Sequence, residues 1–326
     1  MVQKKKIKIS IIGAGSIGSL FGGHLAFYKG REFEPEITFF CRKSHCNAIN
    51  ESGLIIENDK DVMRIIGITA YENASSFLEL VKGNHKFFFD YAIISTKTTD
   101  LEKVLNEYNK IINMSRYVVI LQNGLGNEEI VARYCDKKKI ARIITSHGAL
   151  LKEPGKILHT GKGFVKLGFL FNQNNQSELK FFSSYLTLSG LKTEVVSNIE
   201  EFIWEKAFVN IAINPLAALT RLNNGEIIKN ESLVEIMRTL IKESLNVSRK
   251  LGIKLPNKDY YKLAKEVAYH TSENINSMLQ DILRSKPTEI DYLNGKIVEI
   301  GKNLKIDTPI NKIITILIKG LENSRL

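Results

Sequence analysis

Short runs of β-branched and aromatic residues alternate with helix-spaced segments along the N-terminal part of the chain. Apolar runs of this kind, each followed by a helical pattern or a turn signal, are typical of the strands of a parallel, doubly wound sheet. Five runs predict such strands: Ile7–Ile12, Glu36–Cys41, Tyr91–Thr96, Tyr117–Gln122 and Arg142–Ser146. We therefore predict an α/β fold built on a doubly wound sheet for this part of the chain.

Two further stretches predict hairpins. Leu54–Ile56 and Met63–Ala70 are separated by a polar turn at residues 57–60, which indicates a hairpin inserted in the sheet. Lys156–Phe169 predicts a second hairpin that turns around Gly161-Lys162-Gly163. Both hairpins would interrupt the alternation of strands and helices without ending the domain.

A helix over Ser177–Leu188 and a strand over Thr193–Val196 complete the α/β part, and the spacing of apolar residues is helical from there to the end. Pro287, followed by a threonine and a glutamate, is a favourable start for one of these helices. Its apolar stripe consists of Ile290, Leu293, Ile297, Ile300 and Leu304. We therefore predict two domains, an α/β domain over residues 1–198 and an all-helical domain over residues 199–326.

The first predicted strand runs directly into a glycine-rich segment with the spacing G-x-G-x-x-G. Gly13 permits the tight turn, Gly15 lets the backbone approach a pyrophosphate, and Gly18 lets the following helix pack on the strand. The helix that begins near Ser16 would present its N–H groups and its positive dipole end to the phosphates. A strand before the motif and a helix after it indicate a Rossmann-type, dinucleotide-binding domain. The predicted cofactor contacts here are Gly13, Ala14, Gly15, Ser16, Ile17 and Gly18.

The end of the second predicted strand indicates which dinucleotide is bound. Domains that bind NAD place an Asp or Glu there to hold the ribose 2′-hydroxyl. Residues 39–44 of this chain contain no acid, and Arg42 can hold a 2′-phosphate with paired N–H donors. We therefore predict NADP(H) as the cofactor; the alternative is that Arg42 is only a surface charge.

Polar residues also follow other predicted strands. Lys97 follows the strand at Tyr91 and Asn123 follows the strand at Tyr117. Because open α/β sheets bind ligands at the carboxyl ends of their strands, we expect both side chains to face the cofactor. His147-Gly148-Ala149 is predicted to end the next strand, but a histidine at a strand end is more often structural than catalytic.

The helical part opens with a polar stripe in an otherwise apolar segment. Lys206, Asn210 and Asn214 are spaced by four residues, so they drift only about 80° around a helix. A buried stripe of this kind needs polar partners, which a substrate with a carboxylate, a carbonyl and a hydroxyl would supply. A lysine at a helix edge with amides bonded to neighbouring backbone explains the spacing equally well.

Together these segments resemble the ketopantoate (2-dehydropantoate) reductase family. The resemblance extends from about residue 7 to about residue 320, and Glu273–Gly295 is its most specific part. The matching segments are Gly13–Gly18, Arg42, Lys97, Gln122-Asn123-Gly124, Lys206 through Asn210 to Asn214-Pro215-Leu216, Asn223–Glu226, Asn274 to Ile282 and Thr288–Tyr292. The resemblance implies an oxidoreductase that uses NADPH to reduce ketopantoate to (R)-pantoate, in pantothenate and coenzyme A biosynthesis.

The resemblance also implies roles for individual residues. Lys206 corresponds to the general acid that protonates the ketone oxygen, and Glu289 to the group that helps hold this oxygen and the nicotinamide ribose. Hydride addition builds negative charge on the oxygen, which an ammonium can stabilise and neutralise. The implied substrate contacts are Asn123, Asn210, Asn214, Asn224, Asn274 and Ser277. The implied cofactor contacts are Gly13–Gly18, Arg42, Lys97, Asn123, Ala149 and Glu289.

Two alternative functions remain open. One is a paralogous NADPH-dependent reductase of another small 2-keto acid, which could share most of these residues. The other is a non-catalytic NADP(H)-binding regulator. A regulator would keep the glycine motif and Arg42 but would not need Lys206 or Glu289.

Net charge, apolar stretches and cysteines indicate which classes of partner and which cellular compartment to expect. The net charge of +11 favours anionic partners, but the lysines are scattered apart from Lys137-Lys138-Lys139, so we expect no nucleic-acid partner. No apolar stretch is long enough to cross a bilayer, and we expect no membrane association. Cys41, Cys46 and Cys135 fit no metal-binding spacing and predict a reducing cytoplasm and no metal site. The expected partner is a small-molecule keto acid, bound by a monomer or homodimer.

Overall fold

A computed structural model of the chain describes residues 5–28, 30, 32–84, 87–171 and 176–324, and it divides into two compact units. The first unit contains Met1–Gln122 and Asn127–Ile199. The second contains Asn123–Gly126 and Glu200–Leu326. Asn123, which follows a predicted strand of the α/β part, therefore belongs by its contacts to the second unit.

Two sheets form the frame of the first unit. Its strands are β1 (Lys5–Ile12), β2 (Phe33–Phe40), β3 (Leu54–Glu57), β4 (Val62–Ile65), β5 (Thr69–Tyr71), β6 (Phe89–Ile94), β7 (Ser115–Ile120), β8 (Ile140–Thr145), β9 (Gly148–Glu153), β10 (Lys156–Gly161), β11 (Val165–Phe169) and β12 (Thr193–Val195). The larger sheet has the order β12-β11-β8-β7-β6-β1-β2-β5 and the smaller one β4-β3-β10-β9. In the larger sheet β11 runs antiparallel to β8, and the other neighbouring pairs are parallel.

Helices cover both faces of the larger sheet. They are α1 (Ser16–Ala26), α2 (Lys43–Ser52), α3 (Ala74–Leu80), α4 (Leu101–Glu107), α5 (Asn109–Asn113), α6 (Asn127–Val131) and α7 (Gln176–Leu188). Ile11 and Phe39 belong to one apolar cluster, whereas Ile12 and Phe40, which follow them in the chain, belong to another. Successive strand residues point to opposite faces, so burial on both faces explains the continuous apolar runs. The predicted doubly wound α/β sheet is confirmed.

The first predicted hairpin forms, but it is not inserted in the larger sheet. β3 and β4 pair antiparallel and belong to the smaller sheet. The stretch predicted as one run, Met63–Ala70, is broken at Gly67, whose φ is 94°. Residues beyond this glycine form β5, which pairs with β2 in the larger sheet. A glycine in this conformation interrupts the pleat, which explains why the two halves join different sheets.

The second predicted hairpin, over Lys156–Phe169, is wrong. β10 pairs with β9 and β3, whereas β11 pairs with β8 and β12. The actual hairpin joins β9 to β10 at Pro154-Gly155, where Gly155 has a φ of 78°. A Pro-Gly pair is a strong local turn signal, stronger than the Gly-Lys-Gly segment at residues 161–163. His147 follows the end of β8, as predicted, whereas Gly148 and Ala149 already belong to β9.

Helices form the second unit, so the predicted helical C-terminal region is confirmed. They are α8 (Ile199–Thr220), α9 (Asn224–Ile227), α10 (Glu231–Leu251), α11 (Tyr260–His270), α12 (Ser277–Leu283), α13 (Asn294–Leu304) and α14 (Pro309–Asn323). α8 is largely buried and contains Pro215 within its length. Over the ranges that the structure describes, no helix has the length and apolar character needed to cross a bilayer.

The helix predicted to start after Pro287 is shorter than expected. A 3₁₀ turn covers Ile290–Tyr292, Leu293 has a non-helical backbone, and α13 begins only at Asn294. At this break the carbonyl of Tyr292 accepts the N–H of Leu125 at 2.9 Å, within the second unit. In a continuous helix this carbonyl would bond to the helix itself. A contact between distant parts of the chain thus replaces one helical turn.

Candidate active site

The larger sheet brings the carboxyl ends of β1, β2, β6, β7 and β8 to one edge. β1 lies between β2 and β6, so the crossovers lead away from it in opposite directions. A reversal of this kind leaves a crevice beyond the strand ends, where open α/β sheets bind ligands. Gly13, directly after β1, packs against Thr96, which follows β6. The glycine segment therefore lies at the switch point of the sheet.

The three glycines of the motif are each required for a different structural reason. Gly13 has a φ of 82°, and a Cβ there would lie 2.8 Å from the backbone nitrogen of Thr96. A Cβ on Gly18 would overlap the hydroxyl of Ser95. A Cβ on Gly15 would meet nothing nearer than 3.9 Å. Packing within the protein therefore explains Gly13 and Gly18, whereas the space beside Gly15 is open for a ligand to approach the backbone.

α1 begins at Ser16, as predicted, directly after the glycine segment that follows β1. The residue at the N-cap is Gly15, and no side chain caps the first turn. The Ser16 hydroxyl accepts the backbone N–H of Leu151 in β9 at 3.0 Å, and Ala149 lies in the same strand. An uncapped first turn combines unsatisfied N–H groups with the positive end of the helix dipole, which suits a phosphate.

Arg42 and Lys97 occupy equivalent positions after neighbouring strands. Arg42 follows β2 in extended conformation (φ −60°, ψ 147°), immediately before α2, and is exposed. Lys97 follows β6 with nearly the same backbone (φ −62°, ψ 147°), before a 3₁₀ turn over Thr98–Asp100, and is half-buried. Both cations therefore lie at the carboxyl edge of the sheet.

A buried ion pair that sequence reasoning missed supports the end of β7. Arg142, in β8, lies 2.7 Å from a carboxylate oxygen of Glu128 in α6, and the two side chains are 1% and 4% exposed. Nη2 of Arg142 also donates to the carbonyl of Gln122 at 2.8 Å. The amide of Gln122 in turn donates to the carbonyl of Thr96 at 2.9 Å. The one signal in the sequence was an arginine inside an apolar strand run, which did not reveal its partner.

His147 belongs to a cluster of three histidines in the first unit. Its Nδ1 lies 3.0 Å from Nε2 of His159, and the ring of His24 lies 6.0 Å from that of His159. Burial lowers the pKa of His147 to about 4, with further lowering by His159, His24 and Lys162. The pKa values of His159 and His24 are also lowered, chiefly by burial. Neutral rings packed together favour a structural role for these histidines. In the described part of the chain, no group of three or more His, Cys, Asp or Glu is arranged to hold a metal ion.

We expect this cluster to make the first unit sensitive to acid. The pKa of His147 in the fold lies below the value of about 6.5 for an unfolded histidine, so its neutral form is stabilised by folding. This stability is complete above about pH 6.5 and is lost as the pH falls towards 4. The Tm of the protein, followed by circular dichroism, should therefore fall as the buffer is acidified. His147→Gln should reduce this fall, and the exposed His270→Gln should not; equal pH dependence of all three proteins would contradict the assignment.

The second unit places Lys206, Asn210 and Asn214 on α8, at the predicted helical spacing. Lys206 and Asn210 are half-buried, and Asn214 is 7% exposed. Ile211 and Ile213 beside them are buried, so the polar stripe is embedded in an apolar helix. The stripe can therefore offer one ammonium and two amides to a polar ligand from a single rigid element.

The segment from Thr271 to Ser277 is tied to α9 by its own polar groups. Nδ2 of Asn224 donates to Oγ1 of Thr271 at 2.9 Å, and its Oδ1 accepts from Nδ2 of Asn276 at 3.1 Å. The carbonyl of Asn274 accepts the backbone N–H of Asn224. The buried Asn224 amide thus holds the segment in place, while Asn274 and Ser277 are exposed.

Glu289 precedes the 3₁₀ turn over Ile290–Tyr292 and is half-buried. Within the second unit, this turn contacts the segment that contains Asn123. Gly124 has a φ of 88°, and a Cβ there would lie 2.9 Å from Cβ of Tyr292. A glycine is therefore required both by the backbone conformation and by the close approach. Asn123 and Glu289 consequently belong to two segments that are packed on one another.

Two family models match the chain. The model described as Ketopantoate reductase PanE/ApbA matches residues 9–171, and the model described as Ketopantoate reductase PanE/ApbA C terminal matches residues 198–322. Curated relatives named 2-dehydropantoate 2-reductase are similar over nearly their whole length. The relative from Pyrococcus horikoshii is 35% identical over 97% of this chain and 98% of its own, and that from Archaeoglobus fulgidus is 32% identical over the same shares.

Solved structures match over the same extent. A PanE/ApbA family ketopantoate reductase from Ralstonia eutropha JMP134 has a TM-score of 0.85 at 26% identity, covering 98% of this chain and 99% of that chain. D-mandelate dehydrogenase, in a ternary structure with NADH and anilino(oxo)acetate, has a TM-score of 0.85 at 27% identity over the same shares. Both units of this chain therefore have counterparts in single proteins of known structure.

Proposed function

This chain belongs to the ketopantoate reductase family, and we propose that it reduces ketopantoate to (R)-pantoate with NADPH as the hydride donor. As a member of this family it is an oxidoreductase that acts on a CH–OH group. The observation that carries the proposal is the similarity, over nearly the whole chain, to relatives that bear the name of this reaction. The proposed setting is pantothenate and coenzyme A biosynthesis in the cytoplasm, which the three free cysteines support.

The first unit fits a dinucleotide. The open space beside Gly15 and the uncapped first turn of α1 suit a pyrophosphate, which needs close approach to the backbone and unsatisfied N–H groups. Ala14, Ser16, Ile17 and Ala149 would line the same site in our proposal. Lys97 would contribute a positive charge at the same edge of the sheet. When bound, the cofactor supplies the hydride, and the protein supplies position and electrostatics.

Arg42 supports the choice of NADPH over NADH. It is the first charged residue after β2 and it is exposed. No carboxylate lies between the end of β2 and the start of α2. A guanidinium forms paired, charge-assisted hydrogen bonds to a phosphate, whereas an acid in this place would repel one. We therefore propose that Arg42 binds the 2′-phosphate of the adenosine ribose.

The proposed chemistry assigns the proton transfer to Lys206. Its ammonium would stabilise the negative charge that develops on the ketone oxygen and would then transfer a proton to it. Glu289 would accept a hydrogen bond from the hydroxyl that forms and would orient the nicotinamide ribose. These two roles need opposite charges, which the lysine and the glutamate provide.

The proposed substrate contacts supply orientation. Asn123, Asn210 and Asn214 would hold the hydroxyl and carbonyl groups through amides that both donate and accept. The Ser277 hydroxyl, with the backbone near Asn274, would hold the carboxylate. The amide of Asn224 already bonds to Thr271 and Asn276. Asn224 would therefore contribute to substrate binding by holding in place the segment that carries Asn274 and Ser277. Fixing a substrate in this way accounts for a large part of the rate in many enzymes.

A panel of 2-keto acids tests the proposal. Initial rates of NADPH and NADH oxidation would be followed by absorbance with ketopantoate, pyruvate and phenylglyoxylate. We expect ketopantoate with NADPH to have the highest kcat/KM. Faster reduction of phenylglyoxylate with NADH would favour the activity that the mandelate dehydrogenase likeness suggests. NADPH binding with no turnover of any keto acid would instead indicate a regulator.

Arg42→Ala should change the cofactor preference. Loss of charge-assisted hydrogen bonds worth about 1.5–3 kcal/mol should weaken NADPH binding about 10- to 100-fold, with little effect on NADH. Fluorescence titration of both cofactors measures the two dissociation constants. Arg64→Ala, which removes an exposed arginine from β4, is the control and should affect neither. Equal weakening of NADPH and NADH by Arg42→Ala would refute the 2′-phosphate assignment.

A further inference from the structure

One carbonyl inside α8 lacks its usual helical donor. Pro215 has no backbone N–H, so the carbonyl of Ile211, four residues earlier, receives no hydrogen bond from that position. Nδ2 of Asn294, at the start of α13, donates to this carbonyl at 3.2 Å. Asn294 is completely buried. Because an unsatisfied buried carbonyl costs about 1–3 kcal/mol, the asparagine compensates for the proline.

The same amide begins a buried chain of hydrogen bonds. Nδ2 of Asn294 also donates to Oδ1 of Asn311 at 3.1 Å, and Nδ2 of Asn311 donates to Oε2 of Glu243 at 2.7 Å. The Glu243 carboxylate accepts the backbone N–H groups of Ile310 and Asn311 at 3.0 and 2.9 Å, at the start of α14. A carbonyl and a carboxylate can only accept hydrogen bonds, so the two ends fix the orientation of both amides.

The joined segments carry the proposed proton donor and its partner. α8 carries Lys206, and Asn294 follows Glu289 closely in the chain. We propose that the Pro215–Asn294 joint, which consists of the Ile211 carbonyl, Pro215 and Asn294, sets the position of α8 relative to the segment of Glu289. Asn294 is then a positioning residue that acts through Lys206 and Glu289. This inference rests on the proposed function.

Stability alone does not require this arrangement. An alanine at position 215 would return the missing N–H to the Ile211 carbonyl, and an apolar residue at position 294 would then bury no amide. The chain instead has a proline that opens the helical hydrogen bonding and a buried amide that bonds to the open carbonyl. Buried polar networks favour an arrangement that keeps these hydrogen bonds, because the loss of any one of them leaves a further buried group unsatisfied. Such a network suits a helix whose position matters for chemistry.

Three variants separate positioning from stability: Asn294→Ala, Pro215→Ala and the double substitution. We expect Asn294→Ala to lower the Tm and to lower kcat about 10- to 100-fold, because a displacement of about 1 Å can have this effect. Pro215→Ala should keep or raise the Tm, because the restored N–H can bond to the Ile211 carbonyl within α8. It should still lower kcat, because the axis of α8 then changes direction at this point. The double variant should regain Tm relative to Asn294→Ala, while its kcat stays low.

Two further measurements make the test specific. The dissociation constant of NADPH should change much less than kcat in all three variants, since most of the proposed cofactor contacts lie in the first unit and are untouched. The KM for the keto acid should rise less than kcat falls, because orientation acts mainly in the transition state. Asn303→Ala, at an exposed position of the same helix α13, is the matched control and should keep the wild-type Tm and kcat.

A double variant that regains kcat together with Tm would overturn the inference, because Asn294 would then act through stability alone. Wild-type kcat in Pro215→Ala would overturn it too. If Asn294→Ala does not fold, Pro215→Ala decides the question, since it restores a helical hydrogen bond. Wild-type protein that turns over no keto acid would refute the proposed function itself, whereas an active wild type with fully active variants would refute only the joint.

Discussion

Replacing Lys206 by methionine should lower kcat for keto acid reduction about 10²- to 10⁴-fold, the usual contribution of a general acid. Methionine keeps an aliphatic side chain of similar length, so α8 should keep its packing while the ammonium is lost. Without that charge, the negative oxygen that forms during reduction would lose the proposed source of its stabilisation and its proposed proton donor. Steady-state rates with saturating NADPH and ketopantoate measure the loss.

Binding measurements separate the chemical role of Lys206 from a role in folding. The dissociation constant of NADPH and the Tm should both stay near those of the wild-type protein. Lys242→Met, at an exposed position of α10, is the control for removing a lysine from the second unit and should leave kcat unchanged. If Lys206→Met retained full turnover, the proton would have to come from another group.

Glu128→Ala should cause the largest loss of stability of any single substitution considered for the first unit. The change leaves the guanidinium of Arg142, 1% exposed, without its carboxylate partner. Removing one member of a buried ion pair typically costs about 3–5 kcal/mol, because the remaining charge is buried uncompensated. For a domain of this size such a loss lowers the Tm by about 10 °C, which circular dichroism would detect.

The double substitution Glu128→Leu with Arg142→Met tests the cause of that loss. Apolar side chains of similar volume bury no charge, so this variant should be more stable than Glu128→Ala. It should not regain the full wild-type Tm, since the carbonyl of Gln122 also loses its bond from Arg142. The surface substitution Glu129→Ala, next in the chain, controls for removing a carboxylate from α6. An unchanged Tm in Glu128→Ala would show that the ion pair is not needed for stability.

The order and type of most elements could be predicted from the sequence because their causes are local. The apolar run of β1, the stereochemistry of Gly13 and the helical period of α1 all lie within a few residues of one another. The helical spacing that placed Lys206, Asn210 and Asn214 on one element is local in the same sense. Local periodicity therefore determined the α/β and helical regions, and local glycine spacing determined the turn between β1 and α1.

Strand partners were not determined in this way. β10 pairs with β9 and β3 rather than with β11, and the run predicted over Met63–Ala70 is divided between two sheets. Which strand a short apolar run joins depends on the side chains it meets across the sheet, and these come from distant parts of the chain. Only turn chemistry at Pro154-Gly155 carried a local signal of the true hairpin.

The buried polar pairs were decided by the tertiary structure alone. Arg142 forms an ion pair with Glu128, and the amide of Asn294 donates to Asn311 and to the Ile211 carbonyl. In the sequence each is a polar residue beside apolar neighbours, which is equally compatible with a surface position. A polar group is stable in the interior only where the fold supplies its partner, and that partner is chosen by packing between segments far apart in the chain.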